Sequence, residues 1–177
     1  DPTAFGANNS GQGVGGPLLH WGAFCPRPDP RDLTLASETG RGRNWPFGWD
    51  ELESYVETVE TVIGVSGPAD YPWGGRQFAY PPVPRNAPAD AMARGATAVG
   101  LTVTDAPAAV LSRDREAGTT PYRMACVNCG ACHQGCRTGA KGGADNSFLP
   151  MAAANGATII ANARAIGVER DAGGRIK

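Results

Sequence analysis

Net charge, histidine and long apolar runs are all scarce in this sequence. Its 177 residues include two histidines, and 16 Lys and Arg against 17 Asp and Glu leave a formal net charge of -1. So small a charge, with no run of Lys or Arg, creates no field that attracts nucleic acid or anionic lipid. No stretch approaches the roughly 20 apolar residues of a membrane-spanning helix, and the first residues show no basic stretch followed by an apolar one. The composition therefore argues against a nucleic-acid-binding protein.

Glycine and proline, by contrast, are abundant. The chain has 25 Gly and 15 Pro, while hydrophobic residues still make up 41% of it. That apolar share is too large for a disordered tail, and the glycine and proline content favours many irregular connections. The length suits one domain of ordinary size or two small ones. We therefore expect a loop-rich fold around a modest core.

Helical patterns occur in three places. Residues 50–63 place apolar side chains on one face at 3.6-residue spacing, with Asp50 as the predicted cap and Gly64 as the predicted stop. A second helix is predicted over 88–99 and a third over 147–154.

Strand patterns are shorter. Residues 101–104, 109–111, 158–160 and 165–169 alternate or run apolar, which predicts short strands. A hairpin turn is predicted at residues 171–174, where the sequence reads Asp-Ala-Gly-Gly.

Cysteines are concentrated in one short segment. Four of the five cysteines follow the pattern Cys-x2-Cys-x2-Cys-x3-Cys; they are Cys126, Cys129, Cys132 and Cys136. Disulfides across two-residue loops strain the bridge geometry, whereas closely spaced soft thiolates suit an iron–sulfur, copper(I) or zinc centre. The spacing equals that of bacterial ferredoxins, in which the fourth cysteine binds a second cluster. The pattern therefore favours an iron–sulfur cluster, with ligation by three or by four cysteines open.

Two alternatives remain for these cysteines. A structural zinc site usually combines two separated Cys-x2-Cys pairs or adds histidine ligands. His133 directly follows Cys132, which is an awkward placement for joint ligation. The cysteines can also hold no metal at all.

A second constellation lies near the N-terminus and is called the glycine loop here (residues 13–22, Gly-Val-Gly-Gly-Pro-Leu-Leu-His-Trp-Gly). Glycine lets a backbone pass close to a flat ligand and point its amides at it, while His20 and Trp21 add a polar edge and a stacking face. The same pattern also occurs in ordinary turns. Neither His20 nor His133 is assigned as a base, because a lone histidine is more often structural.

These motifs occur together in an order typical of one enzyme family. They are the glycine loop with Arg27 and Asp32, Asn44-Trp45-Pro46 with the helix after it, the cysteines through Lys141, and Phe148-Leu149-Pro150 through Val168. On these motifs the sequence resembles the glucose–methanol–choline (GMC) family of FAD-dependent oxidoreductases, particularly its gluconate, fructose and glucose dehydrogenases. The resemblance spans essentially the whole chain.

The resemblance implies an α+β, loop-rich fold that is part of a GMC-type FAD/NAD(P)-binding fold. The family's N-terminal Rossmann unit and its C-terminal catalytic segment have no counterpart here, so we expect no catalytic residue in this chain. The remaining segments of the flavoprotein would come from the same or a separate chain. The expected parts are a flavin-contacting loop region, a helical insert with part of the substrate domain, a cysteine-rich cluster segment, and a helix with a β-hairpin of the FAD-binding domain; they are residues 1–47, 48–120, 121–145 and 146–177. Residues 121–145 are called the cysteine segment below.

Site residues also follow from the resemblance. Those expected along the flavin are Gly15, Gly16, His20, Trp21 and Gly22, and backbone atoms at Ala165 are expected at the adenine. In family members with a [3Fe-4S] cluster, three cysteines spaced C-x5-C-x3-C are ligands. That spacing matches Cys126, Cys132 and Cys136, leaves Cys129 as an open fourth candidate, and favours a [3Fe-4S] over a [4Fe-4S] cluster.

The implied activity is oxidation of the hydroxyl of a sugar or related alcohol. A hydride would pass to FAD, and electrons would leave through the iron–sulfur cluster to an external cytochrome or quinone. The alternatives are a stand-alone ferredoxin-like electron-transfer module and a zinc-stapled structural domain. The residues do not specify substrate, acceptor or location; the resemblance implies a periplasmic or membrane-associated enzyme.

Overall fold

The computed structural model describes residues 11–73 and 76–176. Its α-helices are α1 (Leu35–Thr39), α2 (Trp49–Ile63), α3 (Ala87–Ala98) and α4 (Phe148–Ala154). Short 3₁₀ helices lie at Gly16–Leu19, Pro30–Thr34, Cys132–Gln134 and Ala144–Asn146. Within the described residues, no helix has both the length and the apolar character that crossing a membrane requires.

Helix α2 confirms the first predicted helix and corrects its predicted cap. Gly48 is the N-cap residue and makes no side-chain capping bond, while Asp50 lies in the first turn. A carboxylate there is favourable because the helix dipole is positive at its N-terminus. The helix ends at Gly64, which adopts the left-handed conformation with φ 83°.

Helices α3 and α4 confirm the other two. The Asn86 side chain caps α3 by accepting from the Ala89 amide at 2.9 Å, and a proline occupies the first turn, where a missing N–H is harmless. Gly100 follows the helix with φ 81°. Helix α1 is not predicted from the sequence, because five residues are too few to show a helical period.

The predicted strands do not form. Among the described residues the β-pairing consists of isolated bridges: Phe24–Ala108, Ser66–Tyr80, Ser66–Ala108, Val110–Lys141, Arg115–Arg123 and Arg170–Ile176. The loop-rich part of the predicted fold class is confirmed, and the β part of α+β is wrong for this region. Residues 158–160 and 165–169 have no regular structure, although the turn at 171–174 forms beside a bridge. A strand pattern becomes a strand only beside a pairing partner, and the described residues supply none there.

Loops build most of the core. Residues 108–111 run through its centre, where the Ala109 amide donates to the Ala23 carbonyl at 2.8 Å and the Leu111 amide to the Ala140 carbonyl at 3.0 Å. Because successive residues of this segment bond to different pieces of the chain, no ladder develops. The buried apolar cluster consists of Ala23, Ile63, Val65, Ala109, Val110, Leu111 and Ala140. The core thus joins the exit of the glycine loop to the cysteine segment.

Replacing Gly64 by alanine is expected to lower the free energy of unfolding by about 1–3 kcal/mol, because a side chain is strained at positive φ. The added Cβ would also lie 2.6 Å from Leu111 Cδ2 in the core. Gly95→Ala is the matched control: Gly95 lies inside α3 with nothing within 4 Å of a new Cβ. That change should stabilise by about 0.5–1 kcal/mol. Urea denaturation measures both, and equal effects of the two variants would contradict the account.

Candidate functional site

Three glycines of the glycine loop adopt positive φ. Gly13, Gly15 and Gly16 have φ values of 129°, 108° and 60°, and the Gly16 amide donates to the Gly13 carbonyl at 3.1 Å. A Cβ at Gly16 would meet nothing within 4 Å. The backbone at Gly16 is therefore bare on that side, and a flat ligand can approach it.

A cavity of about 730 Å³ adjoins the start of the glycine loop. Residues 12–14 line one side of this cavity and residues 160–164 the other. Ala165, expected at the adenine, follows the lining segment directly and is exposed. The structure thus brings the neighbourhood of Ala165 to the glycine loop, but Ala165 is not itself a lining residue.

The second half of the glycine loop contacts the cysteine segment. The Trp21 indole N–H donates to the Gly142 carbonyl at 3.0 Å, and His133 Nδ1 donates to the His20 carbonyl at 3.0 Å. A Cβ on Gly22 would lie 2.8 Å from His133 Nε2, so the absence of a side chain permits this approach. Three of the five residues expected along the flavin are therefore held against the cysteine segment.

The buried side chain of Lys141 also bonds to both the glycine loop and the cysteine segment. The residue is 5% exposed, and Nζ donates to the carbonyls of Leu19 at 2.9 Å, Trp21 at 3.3 Å and Cys132 at 2.7 Å. Three acceptors match the three N–H donors of an ammonium group. Among the described residues, no carboxylate forms an ion pair with it. Backbone dipoles alone therefore compensate the burial of this charge.

The four clustered cysteines are free thiols. Cys126 and Cys132 line a common cavity of about 220 Å³, which Gly22 of the glycine loop also lines. Cys129 is exposed. The structure therefore brings two of the predicted ligands to one cavity beside the glycine loop.

Backbone amides point at two of the sulfurs. The Asn128 amide donates to Cys126 Sγ at 3.3 Å, and the Lys141 amide donates to Cys136 Sγ at 3.3 Å. Such bonds stabilise thiolates and also tune the potentials of iron–sulfur clusters.

Comparison with known proteins identifies the family. A family model described as GMC oxidoreductase matches residues 7–175. The chain belongs to the GMC oxidoreductase family. The resemblance inferred from the motifs is thereby confirmed over nearly the whole chain.

Two relatives of this GMC chain have names that describe redox enzymes. The paromamine 6'-oxidase of Streptomyces fradiae is 35% identical over 164 residues, which cover 89% of this chain and 28% of the relative. The fructose dehydrogenase large subunit of Gluconobacter japonicus is 44% identical over 57 residues, covering 32% of this chain and 10% of the relative. The chain thus spans less than a third of the length of either relative.

The glycine loop fits the FAD that the GMC family implies. Gly16 leaves open the space that a Cβ would occupy, and residues 12–14 line the adjoining cavity. His20, Trp21 and Gly22 are fixed in place by their contacts to the cysteine segment. Gly15, Gly16, His20, Trp21, Gly22 and Ala165 stay predicted cofactor-binding residues, and residues 160–164, just before Ala165, line the cavity beside the loop.

The cysteines fit an iron–sulfur cluster only in part. Their sulfur chemistry and amide contacts suit one, yet no three His, Cys, Asp or Glu side chains of residues 11–73 and 76–176 are placed together to hold a metal ion. The predicted ligand set of Cys126, Cys132 and Cys136, with or without Cys129, is therefore not assembled. Cys129 departs furthest, since its side chain faces solvent.

The thiols differ in acidity. Burial, and then the nearby thiols of Cys126 and Cys136, raises the pKa of Cys132. Burial also opposes ionisation of Cys136, but bonds from the Lys141 amide and from Thr138 outweigh it and lower the pKa of Cys136 below its usual value. Cys136 is thus the thiol with the greater thiolate fraction near neutral pH.

Alkylation with iodoacetamide is expected to label Cys136 faster than Cys132 near neutral pH, because the thiolate is the nucleophile. The ratio of the two rates should fall as the pH rises past the raised pKa of Cys132, since both thiols are then ionised. Peptide mass spectrometry measures each rate separately. A ratio that stays constant with pH would show that access, not ionisation, sets the difference.

Three contacting residues have no role assigned from the sequence: His133, Lys141 and Gly142. Lys141 is one of two lysines in the chain and stands between glycines and Ala140, an unusual place for a solvated cation. That context is the only hint the sequence offers. Two of its three acceptors, Leu19 and Trp21, lie about 120 positions earlier in the chain, so no local pattern reveals them.

Proposed function

We propose that this chain is part of an FAD-dependent oxidoreductase that acts on the CH–OH group of a sugar or related alcohol. Membership of the GMC family supports the flavin and the reaction class. The names of its relatives, an oxidase and a fructose dehydrogenase, support an alcohol or sugar substrate. The observation that carries the proposal is the glycine loop, whose backbone is open at Gly16 and whose start lines a large cavity.

The chain's contribution to the reaction is the placement of the cofactor. FAD, when bound, supplies the two-electron acceptor for the substrate's hydride. The backbone at Gly15 and Gly16 would lie against it, and Trp21, fixed through Gly142, would close the loop. We assign no catalytic base to this chain.

Replacing Gly16 by valine is expected to weaken FAD binding at least tenfold, about 1.4 kcal/mol, because the side chain fills the open face of the loop. Gly42→Val is the matched control: Gly42 also has positive φ, 77°, and open space around a new Cβ, but lies outside the glycine loop. Both variants carry similar backbone strain. Titration of the polypeptide containing this chain, followed by flavin fluorescence, measures the affinity. Equal weakening by both variants would contradict the assigned loop.

The reaction class has its own test. Anaerobic addition of sugars and alcohols to the FAD-loaded polypeptide should bleach the flavin absorbance with at least one of them. A protein that retains FAD but is bleached by no hydroxyl compound would contradict the substrate class while leaving the flavin site standing.

The proposal extends to the route by which electrons leave the flavin. The cysteine spacing and the amide contacts to Cys126 and Cys136 support an iron–sulfur cluster that passes electrons to a cytochrome or quinone. In the part of the chain that the structure describes, the thiols are not placed together as metal ligands. Metal analysis with an EPR spectrum decides: iron with a cluster signal supports the route, and zinc or no metal rejects it. Iron without any flavin binding would favour the ferredoxin-like module instead.

A further inference from the structure

We propose that Lys141 is a positioning residue, whose ammonium group holds the glycine loop and the Cys132 backbone in one arrangement, so that FAD bound at the loop restrains the Cys132 thiol. The inference rests on the proposed FAD site. It adds a residue that couples that site to the cysteine segment.

The first support is the set of bonds on the 3₁₀ helix Cys132–Gln134. The Cys132 carbonyl accepts from Lys141 Nζ at 2.7 Å, the shortest of the three bonds that Nζ makes. The next residue, His133, donates from its ring to the His20 carbonyl. This short helix is therefore attached to the glycine loop through two consecutive residues.

The second support is that the attachments run in both directions. The Lys141 side chain donates to the Trp21 carbonyl, and the Trp21 indole donates to the carbonyl of Gly142, the residue after Lys141. Neither segment can shift without breaking bonds at both ends.

Burial makes these bonds hard to give up. An ammonium group away from water is penalised for every donor that loses its acceptor. Because all three acceptors of Lys141 are backbone carbonyls, the charge is satisfied only while Leu19, Trp21 and Cys132 keep their places. Restraint of the glycine loop by a ligand is thus passed to Cys132 through Lys141.

The Cys132 thiol can report this coupling. It lines the 220 Å³ cavity that Gly22 also lines, so a small alkylating reagent can reach it there. Its labelling rate, read by peptide mass spectrometry, follows the freedom of this segment without depending on enzyme activity.

The experiment compares three forms of the polypeptide that contains this chain: wild type, Lys141→Met and Arg115→Met. Methionine keeps the length of lysine and removes its donors. Arg115 is the matched control because its side chain also donates to backbone carbonyls, those of Thr61 and Val62, which belong to neither segment. Iodoacetamide labelling is measured without FAD and with saturating FAD over a pH series, and each rate is taken at its high-pH plateau, where loss of the Lys141 charge no longer changes the thiolate fraction of Cys132.

Without FAD, Lys141→Met should label Cys132 about fivefold faster than the other two forms. Saturating FAD should slow labelling about fivefold in wild type and Arg115→Met but not in Lys141→Met. Equal rates in Lys141→Met and wild type, or equal protection by FAD in both, overturn the inference. If wild type retains no FAD while Cys132 of Lys141→Met is still labelled faster, the proposed FAD site is rejected. The attachment of Cys132 to the glycine loop by Lys141 is then still supported.

Loss of folding is recognised by fast labelling of Cys25, which packs against the core. In that case Lys141→Arg is used, because a planar guanidinium cannot meet three acceptors placed for an ammonium group. The same faster labelling of Cys132 is expected, and a wild-type rate overturns the inference.

Discussion

Replacing Arg27 by methionine is expected to lower the free energy of unfolding by about 3–5 kcal/mol, because it leaves the buried Glu60 carboxylate without its cation. Arg27 and Glu60 are 6% and 7% exposed, and the guanidinium meets both carboxylate oxygens at 2.8 and 2.7 Å. It also donates to the Arg76 carbonyl at 2.6 Å and stacks 3.9 Å from the centre of the Phe78 ring. One side chain thus joins α2 to two loops.

A double variant separates the ion pair from the rest. Arg27→Met with Glu60→Leu removes both charges, and the loss should shrink to about 1–2 kcal/mol, the share of the remaining hydrogen bond and packing. Arg76→Met is the exposed control: it breaks the surface pair with Glu57 and should change stability by less than about 1 kcal/mol. Urea denaturation measures all three. A double variant as unstable as Arg27→Met alone would show that the unpaired carboxylate is not the cause.

Replacing Arg123 by methionine is expected to lower the free energy of unfolding by about 3 kcal/mol or more, because three backbone carbonyls each lose a hydrogen bond from a charged, buried donor. Arg123 is 2% exposed and donates to the carbonyls of Gly139, Ile63 and Ala140 at 2.8, 2.8 and 2.7 Å. The Ile63 carbonyl lies at the end of α2, where a cation is favourable. Burial, and then the nearby Arg115, lowers the pKa of Arg123.

Two further variants test this interpretation by urea denaturation. Arg123→Lys keeps the charge but not the planar fork, so an intermediate loss of about 1–2 kcal/mol is expected. Arg94→Met, on the exposed surface of α3, should remain within about 0.5 kcal/mol of wild type. A loss of stability for Arg123→Met no larger than that for Arg94→Met would contradict the stabilising role of the Arg123 hydrogen bonds.

The helices were predictable because their information is local. The apolar period of α2, its stop at Gly64 and the proline in the first turn of α3 lie within the elements they define. The strands failed for the opposite reason: whether residues 165–169 pair depends on a partner that their own sequence does not contain. Residues 108–111 show the same limit, since they bond to several distant pieces of chain instead of one.

The candidate site was predictable in its composition but not in its connections. Spacing and glycine content single out the glycine loop and the cysteines, and the family match supports both segments. Nothing local reveals that Lys141 and Trp21 join them, because the bonded residues are about 120 positions apart. The spacing predicts that Cys126, Cys132 and Cys136 meet at one site, but the structure does not place the three together. Sequence distance sets only an upper limit on how far apart their sulfurs can be.

Hydrogen–deuterium exchange with and without FAD tests the central claim most directly, because it reads the amides of the glycine loop. If the loop lies along the flavin, FAD should slow exchange in residues 13–22 and leave the peptide of α3 unchanged. Retention of FAD through gel filtration, with unaltered exchange in residues 13–22, would place the cofactor elsewhere and contradict the account.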